Sequence, residues 1–180
     1  MSAELEYLKL FSTMYDDVNS SASKLNNHPE EFDYYSRAYL RAFATWVEGT
    51  VSMYKEVFSK SGHLSSKLPQ ASQLYIFEYD WRISNSGEPK IVHKKIKTKE
   101  NIKCFFYVLT EIFEGYEVNF NDQGWSDLML FYKSRDSMMH PKTIECLEVN
   151  MSQVKQYQNG GVWFLNQIMQ LNHCMSRKNA

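Results

Sequence analysis

The chain has 180 residues, 43% apolar and 15% aromatic with only 7 Gly and 4 Pro, a composition that excludes a linker or disordered tail and can bury a core. A formal charge of -1 excludes a protein that coats nucleic acid by bulk electrostatics, while leaving room for a local RNA-binding patch. The length predicts one helical domain over 1–180, with an insertion at about 80–98.

From Ser2 to about Lys24, the residues Leu5, Leu8, Phe11, Tyr15 and Val18 recur every three or four positions, which predicts a helix. Asn26 to Pro29 predict a turn. Phe32 to Phe58 carries the clearest helical stripe, Tyr35, Tyr39, Ala42, Phe43, Trp46, Thr50, Tyr54 and Phe58, and that stripe is core packing. A polar loop from Ser59 to Lys67 leads to Pro69, which can open a shorter helix through about Glu78.

Between Tyr79 and Thr98 the pattern changes. A turn cluster at Asn85 to Pro89 separates two short runs containing Ile83, Ile91, Val92 and Ile96, which predicts a small hairpin or an irregular flap between helices. Helices follow from about Lys99 to Glu114 and from near Asp122 to Met139. A last one is expected from around Thr143, with a bend at Gly160 and Gly161. The fold class is therefore all-α, a helix bundle with one insertion.

Cys104, Cys146 and Cys174 form no CxxC pair and offer no zinc spacing, so free buried thiols and a reducing, cytoplasmic setting are expected. The first residues lack a secretion signal, and no segment approaches the ~20 apolar residues of a membrane span. Phosphate-loop, dinucleotide, HExxH and GxSxG motifs are missing, and no carboxylate cluster singles itself out for two metals, so no cofactor is expected.

One segment carries chemistry. In SRDSMMHPKT, Arg135 and His140 stand five positions apart, a spacing that turns their side chains to different sides of a regular helix and is common by chance. Pro141 biases His140 out of the helical region, however, and frees its ring at a chain break. An imidazole that titrates near neutrality and a permanently charged, forked guanidinium together supply what RNA cleavage needs. One accepts the 2′-hydroxyl proton and the other stabilises the charged transition state. The bland alternative is a helix C-terminus whose two basic side chains satisfy carbonyls.

The segment RDSMMHP resembles the signature of the HEPN superfamily, R-x4-6-H with a polar residue after the arginine, here Asp136, and a His-Pro ending. YYSRAYLRAFATWVEG is similar to that family's early core helix, which leads to a glutamate, here Glu48. The resemblance covers roughly residues 32 to 174. It implies an all-helical, metal-independent endoribonuclease of toxin-antitoxin or phage-defence type, with its cleft at a homodimer interface. It further implies that Arg135 stabilises the scissile phosphate, His140 is general base or acid, Asp136 orients the pair and Glu48 supports them. An antitoxin, such as a small nucleotidyltransferase, is the partner it implies. Glu48 lies about 200° from Trp46 around its helix, so an ordinary surface carboxylate is the alternative there.

Lys90, Lys94, Lys95, Lys97, Lys99 and Lys103, with His93, form either a solvated hairpin surface or a guide for RNA backbone; Lys94, Lys95 and Lys97 are the candidate RNA-binding residues. His28, His63 and His173 are expected to be solvated. The Tyr and Phe residues are mainly core, with a few available to stack bases. Two other function classes compete with the nuclease. They are a non-catalytic HEPN-like module for dimerisation or nucleotide or protein binding, and a helical regulator that binds a protein partner.

Overall fold

In a computed structural model of the chain, residues 3–178 are described, with side chains over 6–63 and 66–177. The expected helix start at Ser2 and the Leu5 side chain lie outside the described residues. The chain is mostly helical: α1 (Ala3–Asn27), α2 (Phe32–Lys60), α3 (Gly62–Ser65), α4 (Gln70–Ile76), α5 (Thr98–Ile112), α6 (Gln123–Met139) and α7 (Met151–Lys178). Its one two-stranded sheet among the described residues joins β1 (Tyr79–Ile83) to β2 (Pro89–His93).

Contacts divide the chain into two compact units. The first takes in the residues up to Thr50 together with Asn119–Gln170, and the second holds Val51–Val118 and the chain from Leu171 on. Helices α2 and α7 contribute to both.

In the first unit Tyr39, Phe43, Trp46 and Thr50 of the predicted stripe are buried, while Tyr35 and Ala42 are only partly so. Phe43 of α2 meets Phe131 of α6 edge-on with centroids 4.4 Å apart, and Trp46 meets Phe164 of α7 at 5.0 Å. Offset and edge-on pairs of this kind add to the area they bury. Met14, Val18 and Leu25 line the buried side of α1. Helix α6 starts where Asp122, its N-cap, accepts a 2.6 Å hydrogen bond from the Gly124 backbone N–H.

The last helix differs from expectation at two points. It begins at Met151, after a 3-10 turn at Ile144–Leu147. The reason is a reciprocal cap: Asn150 Oδ1 accepts from the Gln153 N–H and Gln153 Oε1 accepts from the Asn150 N–H, both at 2.9 Å. The helix also runs unbroken through Gly160 and Gly161. These glycines serve close approach instead of a bend, since a Cβ on Gly160 would lie 2.6 Å from the Leu128 backbone nitrogen of α6.

In the second unit, Tyr54 and Phe58 of α2 pack on Phe105 of α5. Lys55, only 4% exposed, donates to Glu78 Oε1 at 2.6 Å and to Asn101 Oδ1 at 3.3 Å, and its ammonium lies 4.3 Å from the Tyr75 ring centroid. Burying the ammonium is tolerable because carboxylate, amide and ring surround it. Glu78 has φ 55, a left-handed turn that leads directly into β1. The insertion is a regular antiparallel hairpin, closed by Ser84–Glu88 with Gly87 at φ 85.

The three cysteines are free but half-buried, short of the full burial expected. His28, His63 and His173 are exposed. No helix among the described residues is long and apolar enough to cross a membrane.

Candidate functional site

The candidate site is assembled in the first unit from α2 and the last turn of α6. Tyr132, Arg135 and Asp136 are spaced i, i+3, i+4, so one helical face presents all three. Arg135 is 26% exposed, and its Nη2 stands 3.5 Å from Oε1 of Glu48 on α2. Its Nη1 donates to Oδ1 of Asp136 at 3.3 Å. One half-buried guanidinium thus faces two carboxylates from two elements.

Glu48 is intermediate in burial, which sets it apart from a freely solvated surface carboxylate. Burial raises its pKa above the ordinary value, the Arg135 charge opposes that rise and the Asp136 charge adds to it. Its Oε1 accepts no hydrogen bond, so the 3.5 Å approach of Arg135 is an ion pair without hydrogen-bond alignment.

The Tyr132 side chain is fully buried and its hydroxyl has no hydrogen-bond partner. Burial pushes its phenol well above the usual range, with Glu48 and Asp136 adding to the rise and Arg135 opposing it. Sequence reasoning missed this residue. The i, i+3, i+4 spacing from Tyr132 to Arg135 and Asp136 was the signal that could have found it.

His140 caps the C-terminus of α6. Its backbone N–H still donates to the Asp136 carbonyl at 3.2 Å, but φ -130 and ψ 60 take the residue out of the helix, as the following proline requires. The side chain is exposed, and no hydrogen bond or ion pair joins its ring to another described residue. Arg135 pairs with Glu48 and Asp136, and not with His140. The structure therefore brings three of the four sequence-selected residues together and leaves His140 at the adjacent helix end, its ring unengaged.

Lys94, Lys95 and Lys97 belong to the second unit, where all three are exposed. Lys94 Nζ lies 3.4 Å from Asp80, while Lys95 and Lys97 have no ion-pair partner among the described residues. No group of three or more His, Cys, Asp or Glu among the described residues could hold a metal ion. No protein-family model matches the chain, and neither a curated protein nor a solved structure matches it.

Proposed function

We propose that this chain is a HEPN-type, metal-independent endoribonuclease of toxin-antitoxin or phage-defence kind, acting in the cytoplasm as a homodimer with Arg135 and His140 at the interface. The observation that carries the reading is a guanidinium held between two carboxylates in the last turn of α6, with an exposed, unengaged imidazole at the C-cap of the same helix. Glu48 and Asp136 fix Arg135 at the end of α6, and His140 leaves the helix there with its ring free.

The chemistry balances without a further group. His140 takes the proton of a ribose 2′-hydroxyl, and the oxygen attacks the adjacent phosphorus. A new P–O2′ bond forms and the P–O5′ bond breaks. Arg135 meets the charge that builds on the non-bridging oxygens, and its forked donors suit that geometry. The leaving 5′-oxygen receives a proton from a second copy of the site across the dimer two-fold, where a protonated His140 serves as acid. The products are a 2′,3′-cyclic phosphate and a 5′-hydroxyl. Lys94, Lys95 and Lys97 bind RNA backbone, and an antitoxin restrains the activity.

The non-catalytic module draws on a different observation, that two carboxylates already oppose the Arg135 charge. Purified wild type, Arg135→Lys, Arg135→Ala and His140→Ala separate the two readings on a labelled RNA, with circular dichroism as the check on folding. The nuclease reading expects losses of ~10²–10⁴ in rate for His140→Ala and ~10²–10³ for Arg135→Ala. Folded variants that retain full cleavage contradict the assignment, and a wild type that dimerises but cuts nothing favours the module.

A further inference from the structure

In the β1–β2 hairpin, Tyr79 pairs with His93, Trp81 with Ile91 and Ile83 with Pro89. Directly opposed residues share a face of a ribbon, and residues two apart on a strand share it too. One face is therefore built only from Tyr79, Trp81, Ile83, Pro89, Ile91 and His93. It is open to solvent: Trp81 is 60% exposed, Ile83 66% and Ile91 68%. A contiguous apolar patch of this kind marks a contact surface.

The charges around it are predominantly positive. Residues 79–99 hold six Lys or Arg against two Asp or Glu, in a chain whose formal charge is -1. On the other face of the ribbon Arg82 stands directly opposite Lys90, a like-charge pair that weakens a ladder. Neither has an ion-pair partner among the described residues, and nor do Lys95 and Lys97; Lys94 alone of this group is paired, with Asp80.

We propose that this hairpin is a docking platform for single-stranded RNA, with bases stacked on Trp81 and on the Tyr79–His93 pair while Lys95 and Lys97, just past β2, meet phosphates. The inference rests on the reading of the chain as a protein that acts on RNA. It adds a binding surface outside the Arg135–His140 segment. The rings of Tyr79 and His93 already pack edge-on with centroids 5.0 Å apart, and Phe77 stacks on Tyr79 at 6.0 Å, an aromatic row that a base can extend. Base–aromatic stacking combined with a cationic track is how single strands are bound without sequence readout.

Two features choose this occupant over others. Residues two apart on a strand are separated by ~6.8 Å, about twice the ~3.4 Å rise between stacked bases of a duplex strand. Bases on successive rings are therefore splayed, which a single strand allows and a duplex does not. A second copy of the hairpin laid on the first would bring together two segments that each hold six Lys or Arg against two Asp or Glu, whereas a polyanion neutralises such a segment.

The test measures fluorescence anisotropy of a labelled 12-nucleotide oligouridine and of a duplex of the same length, with the His140→Ala protein so that cleavage does not intervene. The platform predicts preference for the single strand and a roughly tenfold or greater loss of affinity for Trp81→Leu, which keeps an apolar side chain but removes the ring. Trp81→Phe retains most of the affinity. Replacing Lys95 and Lys97 by Ala weakens binding and flattens its salt dependence. A folded Trp81→Leu protein with unchanged affinity overturns the proposal, as does equal affinity for the duplex. So does Trp81-dependent binding of an acidic, leucine-containing peptide with none of the oligouridine, which makes the face a protein-docking surface. Because binding is read on a cleavage-deficient chain, a wild type that fails to cut RNA leaves a positive result standing.

Discussion

Arg135 and Glu48, far apart in sequence, meet at 3.5 Å across α6 and α2. The pair ties a helix end that carries the candidate chemistry to the central helix of the first unit. The carboxylate bears a burial penalty that the guanidinium offsets only in part, because burial is the largest influence on Glu48 and raises its pKa.

That imbalance has a pH signature. Below its ordinary pKa of 4.5, Glu48 is protonated in folded and unfolded chains alike and contributes nothing. As pH rises from there through the raised folded value, the folded chain binds more protons than the unfolded one, so stability falls. The stability of wild type minus that of Glu48→Gln is expected to decrease over this window and then level off. Urea unfolding of both proteins from pH 4 to 7 reads the difference, and a difference that grows with pH contradicts the burial argument.

Glu48→Gln should also slow RNA cleavage while leaving the His140 segment intact, since the guanidinium loses its carboxylate across the helices. A loss of about tenfold corresponds to ~1.4 kcal/mol of transition-state stabilisation, the scale of one charge-assisted contact. Rates measured on the folded variant check this, with unchanged cleavage assigning Glu48 to stability alone.

Gly160→Ala is expected to destabilise the first unit by about 1–3 kcal/mol, because the added methyl meets α6 backbone, which cannot rotate away. Gly62→Ala, where a Cβ meets nothing within 4 Å, is the matched control. Thermal melts of the two variants give the comparison directly.

Lys55→Ala should loosen the base of the hairpin. It removes the donor to Glu78 and Asn101 and leaves Glu78, itself 51% exposed, to solvent, so the expected cost is about 1–2 kcal/mol and less than for a fully buried pair. Hydrogen exchange at Lys94, whose N–H donates to the Glu78 carbonyl at 2.8 Å, should rise relative to wild type.

The proposed cleft needs two copies of the chain. Mass photometry at micromolar concentration should find a homodimer, and a cysteine introduced at Met139, 48% exposed beside His140, should cross-link it. A stable monomer at that concentration removes the second proton donor and with it the mechanism as written.

Much of this architecture was legible in the sequence because it rests on period. The stripe from Tyr39 to Phe58 and the break at His140-Pro141 follow from helical spacing and proline sterics. The start of α7 at Met151 was not, because a cap between Asn150 and Gln153 competes with the apolar pattern upstream. Gly160 and Gly161 resemble a hinge in sequence and turn out to admit neighbouring residues, a tertiary fact invisible to periodicity. At the site, RDSMMHP pointed to Arg135 and His140, but the pairing of Arg135 with Glu48 and the burial of Tyr132 depend on what α2 sets against α6.

The most direct test of the nuclease account is cleavage by wild type in EDTA of an RNA strand and of its all-deoxy counterpart, with product ends identified by mass spectrometry. If His140 activates a 2′-hydroxyl, only the RNA is cut, without added metal, and its fragments end in 2′,3′-cyclic phosphate. Equal cutting of the deoxy strand, or loss of all cleavage in EDTA with the fold intact, contradicts it.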